Sequence, residues 1–222
     1  MPVDDFKAVL KAIVVLIDLE QYPAALASFK DLFTDPTVIV PEEHVEEINL
    51  LFFKTLEKVP LVQKIVFVKQ ISSSKNIPAK LCRRLLKEAP MISAPLLERT
   101  QISSKELIEI ISEGDKQKLL SIANRSSLSE EVTSVMVKTG NIDVLAAVAA
   151  NPNAKLSRDS IEMLVEVAVV EPTMDGALSK RSDLPPDLAR RLSRPLTAEA
   201  RDRVDEILET EKMRKRREFV LR

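Results

Sequence analysis

The chain has 222 residues, of which 45% are hydrophobic, and a net charge of −1. That length buries a sizeable core, that hydrophobic fraction excludes a disordered polymer, and the near-neutral balance argues against a surface coated for nucleic acid. Only 4% of residues are aromatic and there are three glycines against thirteen prolines, too few strand aromatics and turn glycines for a β-sandwich or barrel.

An all-α chain is therefore expected, with an aliphatic core of Leu, Ile, Val, Ala and Met and with short helices that begin at proline. Cys82 is the only cysteine, so no intrachain disulfide can form, in keeping with a reducing, cytoplasmic setting. The N-terminal residues do not read as a secretory leader. Asp4 and Asp5 stand where a basic segment belongs, and Lys11 interrupts the apolar run from Ala8 to Ile17. That run is also too short to span a bilayer.

Apolar residues at helical spacing predict longer helices near 3–20, 23–33, 41–57 and 60–73, the third carried by Val45, Ile48, Leu51, Phe52 and Leu56. The stretch Ser72-Ser73-Ser74-Lys75-Asn76 reads as a linker and places a boundary after residue 76.

From there a start signal recurs: a branched aliphatic residue followed by Ser or Pro. It stands at Ile77-Pro78, Ile102-Ser103, Leu128-Ser129, Leu156-Ser157 and Leu184-Pro185, with an earlier version at Val40-Pro41. Ser caps a helix because its hydroxyl accepts from an orphan backbone N–H. Pro fits the first turn, where its missing N–H costs nothing, and the preceding aliphatic residue can staple onto the helix one turn later. An offset of 26 residues aligns Ile110 with Met136, Gly114 with Gly140, Leu119 with Leu145 and Ala123 with Ala149. The matched glycines read as left-handed helix ends, so each unit is helix, tight turn, helix, with second helices at Asp115–Asn124 and Ile142–Ala150. Asn151-Pro152 reads as a stop. Neither helix of such a unit can bury its apolar face alone, so units must stack. The fold expected is an all-α helical-hairpin repeat array, an α-solenoid of HEAT-like kind, with a longer-helix N-terminal portion (1–76), a repeat region (77–196) and a C-terminal helix with a basic tail (197–222).

Ala94-Pro95-Leu96-Leu97-Glu98-Arg99, the segment Ile102 to Ile111, Ile122-Ala123-Asn124-Arg125 and Asn151-Pro152-Asn153-Ala154 carry a resemblance. Over about residues 27 to 192 the chain resembles the bacterial family known as domain of unknown function 2336, typical of alphaproteobacteria. The resemblance implies an α-helical, HEAT-like array in a bacterial cytosol. It implies no activity, ligand or catalytic residue.

No chemistry-bearing constellation emerges. His44 is the only histidine and sits in Glu42-Glu43-His44-Val45-Glu46-Glu47; it reads as a solvated helix-surface residue. One His and one Cys cannot make an ordinary zinc site of His/Cys type, and a Cys82–His44 nucleophilic pair is formally open but reads as a buried structural thiol and an unrelated imidazole. Gly114, Gly140 and Gly176 are isolated, so no phosphate-cradling loop is present. No catalytic residue, cofactor or metal is expected, although 34 acidic residues leave a carboxylate-only enzyme site open.

Charge is distributed unevenly. Residues 1–60 hold five basic and eleven acidic groups, and residues 61–126 hold twelve and six. Two basic clusters result: Lys80, Arg83, Arg84 and Lys87 on one helix, and Lys212-Met213-Arg214-Lys215-Arg216-Arg217 near the C-terminus. Lys80, Arg84 and Lys87 fall at i, i+4 and i+7, with Arg83 beside them, while Leu81, Cys82 and Leu85 face the other way. The expected function is a non-enzymatic scaffold or regulatory adaptor that binds a protein, with these four residues contributing. The alternatives are a nucleic-acid-binding array using the basic middle, and docking of the acidic N-terminal helices onto the four cations within the molecule.

Overall fold

The computed structural model of the protein describes residues 3–171, 174–178 and 180–192. Among these residues the chain is helical, with no strand and one isolated parallel bridge between Leu128 and Ala154. It divides into two compact units, 1–101 and 102–222. The Ser72–Asn76 stretch is tied into the first of them: the Ser72 carbonyl accepts from the Thr100 hydroxyl at 2.8 Å, and Ser74 and Asn76 donate to the carbonyls of Phe33 and Asp35. The division thus falls one helical hairpin later than the serine run suggested.

The first unit contains α1 (Val3–Asp18), α2 (Tyr22–Thr34), a 3-10 turn at Glu42–His44, α3 (Val45–Lys58), α4 (Leu61–Ile71), α5 (Ala79–Leu86) and α6 (Pro90–Arg99). Along α1, Phe6, Leu10, Ile13 and Ile17 are buried, a spacing that marks one helix face. It packs on α2 and α3; α2 packs on α3 and α4, and α4 and α5 pack on α6. None of α2 to α6 has a side-chain N-cap; prolines occupy the starts instead, at Pro23, Pro60, Pro78 and Pro90.

The core of this unit is mostly aliphatic, as composition predicts, but a cluster of phenylalanines stands within it. The Phe52 ring lies edge-on to Phe29 at 5.3 Å and to Phe53 at 5.2 Å, and meets Phe33 at 5.9 Å and Phe67 at 5.4 Å. Edge-to-face pairing suits the ring quadrupole and adds to burial. A whole-chain percentage hides this, because six of the seven phenylalanines lie before residue 70.

The second unit contains α7 (Ser104–Glu113), α8 (Lys116–Ala123), α9 (Glu130–Val137), α10 (Ile142–Ala150), α11 (Arg158–Val170), α12 (Asp175–Leu178) and α13 (Pro186–Ala189). The start signals read from sequence are the observed caps. Ser103 forms a reciprocal capping box with Glu106, Ser129 accepts from Val132 N–H, and Ser157 accepts from Ser160 N–H. Asp115 and Asn141 cap the second helices in the same way. Gly114 and Gly140 take the left-handed conformation, with φ of 77° and 68°, as their matched positions required. First helices pack on first helices (α7 on α9, α9 on α11, α11 on α13) and second helices on second (α8 on α10, α10 on α12). Serine hydroxyls also meet across neighbouring first helices, Ser104 with the cap residue Ser129 at 3.2 Å and Ser134 with Ser160 at 3.3 Å. The long final helix and the basic tail predicted for 197–222 lie outside the described residues.

Leu119 and Leu145 are both fully buried at the positions aligned by the 26-residue offset. Leu119→Ala and Leu145→Ala should each destabilise the protein by about 2–5 kcal/mol in chemical denaturation. A loss near that of a surface site, under about 0.5 kcal/mol, would show that the aligned register does not carry the packing.

Candidate functional site

α5 buries Leu81, Cys82, Leu85 and Leu86 and leaves Lys80, Arg83, Arg84 and Lys87 exposed, so the four cations expected to meet a partner share the solvent side of one helix. Two of them are engaged by α3, on which α5 packs. The Lys80 ammonium pairs with the Glu46 carboxylate, and the Arg84 guanidinium lies 3.7 Å above the Phe53 ring. For these two, the docking of acidic N-terminal helices onto the basic helix is realised within the first unit.

His44 departs from the solvated residue expected. Its side chain is 18% exposed, and its ring lies 5.4 Å from that of Phe6 on α1. Nδ1 is 3.2 Å from a Glu47 carboxylate oxygen, while Nε2 is 3.6 Å from Glu43, beyond hydrogen-bond reach. The reason is local: the 3-10 turn before α3 rolls the imidazole inward against α1, a rotation that periodicity does not reveal. Cys82 is buried in α5. No group of three or more His, Cys, Asp or Glu among the described residues could hold a metal ion, and no helix among them is long and apolar enough to cross a membrane.

Two open grooves mark the first unit. One, of about 480 Å³, is walled by Val38, Val40, Val45 and Ile77, and the Glu46–Lys80 pair sits on its lining. The other, of about 370 Å³, runs between α2 and α4 and is lined by Leu26, Ala27, Val62, Val66 and Phe67 with Lys30. Exposed apolar side chains concentrate here: among the described residues, eight of the nine large ones belong to the first unit, and Val170 alone to the second.

In the second unit the polar groups hold hairpins together. The Asn151 amide donates to the carbonyls of Ala123 at 2.6 Å and Arg125 at 2.8 Å, and its oxygen accepts from Asn153 N–H at 2.9 Å. The Arg181 guanidinium donates to the carbonyls of Asn151 and Ala154, both at 2.8 Å, and to both carboxylate oxygens of Asp183. Those hydrogen bonds from Arg181 hold the Asp183 carboxyl below its ordinary range. Arg191 bridges Glu162 at 2.7 Å and the buried Glu166 at 3.2 Å. From sequence, Asn151 was legible only as a helix stop, and Arg181 and Arg191 carried no signal, because the carbonyls that Arg181 binds and the carboxylates that Arg191 binds stand 25 to 32 residues away.

All-helical hairpins with serine, aspartate and asparagine caps, tied by side-chain bonds to neighbouring carbonyls, define the class of protein. The family model described as uncharacterised protein conserved in bacteria, domain of unknown function 2336, matches residues 92–219, and the chain belongs to that family. The match begins within α6 and runs through the second unit, so most of the first unit precedes it, later than the residue-27 start expected. No curated protein and no solved structure matches the chain.

Two outcomes follow from the interactions seen. Arg84→Ala should cost about 0.5–1 kcal/mol through loss of the stacked cation, whereas Lys80→Ala should cost less and lose its effect in high salt; equal costs for both would contradict this ranking. Asp183 has a depressed folded-state pKa, so its stabilisation is present above the ordinary value of 3.8 and is lost as pH falls through the lower folded value. Thermal melts should therefore weaken below about pH 4, and Asp183→Asn should flatten that acid limb. An acid limb of unchanged slope in the variant would remove Asp183 from the account.

Proposed function

We propose that the chain is a non-enzymatic helical scaffold or regulatory adaptor of the bacterial cytoplasm that binds another protein. In this reading the stacked hairpins of the second unit form a HEAT-like α-solenoid, a type of array used for recognition, and the first unit supplies the docking surface. One observation carries it: among the described residues, the exposed large apolar side chains belong almost entirely to the first unit, including Leu50 on α3 at 70% exposure and Ile39 at 84%. Clustered exposed apolar residues mark interaction sites when single ones do not. Lys80 lines the same groove as Ile39, and with Arg83, Arg84 and Lys87 it would steer an acidic partner, acting mainly on association rate. The rival use of the basic middle for nucleic acid is weakened by the engagement of Lys80 and Arg84 with α3.

The test is affinity capture from the native bacterium with the full-length chain as bait. Wild type should retain a discrete protein that Leu50→Gln and Lys87→Glu baits, of unchanged melting temperature, retain poorly, while Val170→Gln retains it fully. Retention by every first-unit variant, or recovery that disappears on nuclease treatment, would overturn the reading.

A further inference from the structure

The α2–α4 groove has a wall chemistry that selects its occupant. On α2, Leu26, Ala27 and Lys30 line it; on α4, Val62, Val66 and Phe67 do. Val62 and Val66 are one turn apart and stand 71% and 49% exposed, with buried Phe67 beneath them. Apolar anchors at this spacing run along both helix axes, so the cleft is a linear slot about two helical turns long.

Both walls are α-helices whose backbone groups are bonded internally, and the bonds that open them, Ala25 N–H to Gln21 and Lys64 N–H to Pro60, are also in place. The slot therefore offers no open row of N–H and C=O groups for an extended chain to pair with. An amphipathic helix, whose backbone is already satisfied, therefore suits it better than an extended strand does. Charge narrows the choice. Lys30 is the charged side chain of the lining, and no carboxylate lines the groove. Lys69 lies three residues from Val66 and seven from Val62, on the same face of α4, and is exposed. Asp31 pairs with Lys30 at 2.9 Å from the solvent side.

We propose that the α2–α4 groove docks an amphipathic helix of a partner protein, its apolar stripe set between Val62, Val66 and Leu26 and its acidic flank against Lys30 and Lys69. This inference rests on the protein-binding reading and adds to it the place and the chemistry of the contact.

The probe is a synthetic amphipathic helix with leucines at every third or fourth position and glutamates flanking them, titrated by fluorescence anisotropy against the full chain. Its comparator carries lysine in place of glutamate. The glutamate peptide should bind at least about tenfold more tightly at low salt, where like-charge contacts are penalised. Val62→Gln with Val66→Gln should weaken it by about tenfold, with melting temperature unchanged. Lys30→Glu with Lys69→Glu, at exposed sites that keep the fold, should reverse the preference between the two peptides. Equal affinity for the two peptides, or affinity indifferent to both pairs of substitutions, overturns the proposal. So does a concentration-dependent dimer that Val62→Gln with Val66→Gln abolishes, since it assigns the groove to a second copy of the chain. If the peptides fail while the Val62/Val66 variant still captures the native partner, the groove is lost and the scaffold reading stands. If capture also yields nothing, both fall.

Discussion

Helices of eight to ten residues do not persist alone in water, because the cost of nucleating a helix is recovered only over longer runs. α7 to α10 are all of that length, so each exists only because another covers its apolar face. Every other feature of the second unit serves that dependence. The caps fix where each helix begins, the left-handed glycines set the turn within each hairpin, and the fully buried Leu119, Ile122, Leu145 and Val148 supply the contact. Stacking leaves the carbonyls at the hairpin ends at risk of burial without donors, a costly state. Asn151 and Arg181 answer it by reaching across to the neighbouring hairpin's carbonyls.

The first unit solves the same problem with different residues. Its helices are mostly longer, begin at prolines and gather around Phe52, whose ring touches those of four other phenylalanines. Aromatic clusters bury much surface per residue, so this unit can leave Val62, Val66 and Leu50 in solvent without stripping its core. The second unit, aliphatic and capped, exposes only Val170 among its described large apolar side chains. The family match covers the second unit and leaves most of the first outside it, which is the division expected if a common stacking framework carries a separate recognition surface.

What could be read in the sequence was what depends on neighbours along the chain. Ser103, Ser129 and Ser157 declare themselves as caps because a cap bonds two or three residues ahead, and Gly114 and Gly140 declare themselves because few other residues tolerate positive φ. The spacing between those signals gave the hairpins. The phenylalanine cluster around Phe52, the inward turn of His44 against Phe6, and the place of the unit boundary all depend on which helix packs against which. A serine run such as Ser72–Ser74 looks like a linker until the carbonyl of Ser72 is seen to accept from Thr100. The α2–α4 groove lay equally out of reach, since Val62 and Val66 fit the apolar pattern of a buried face and only the placement of α6 and α2 leaves them uncovered.

The basic helix α5 shows why a charge pattern alone underdetermines function. Its four cations share one face by spacing, and the sequence allowed either a partner or the acidic helices to meet them. Lys80 on Glu46 and Arg84 on Phe53 hold α5 against α3, which spends part of the face on the molecule's own assembly. An exposed ion pair contributes little to stability, so a partner carboxylate can compete for Lys80 at small cost, whereas displacing Arg84 from an aromatic face costs more. In the proposed docking, recognition energy would therefore come chiefly from apolar burial, where the first unit has surface to offer, with the cations as guides for approach.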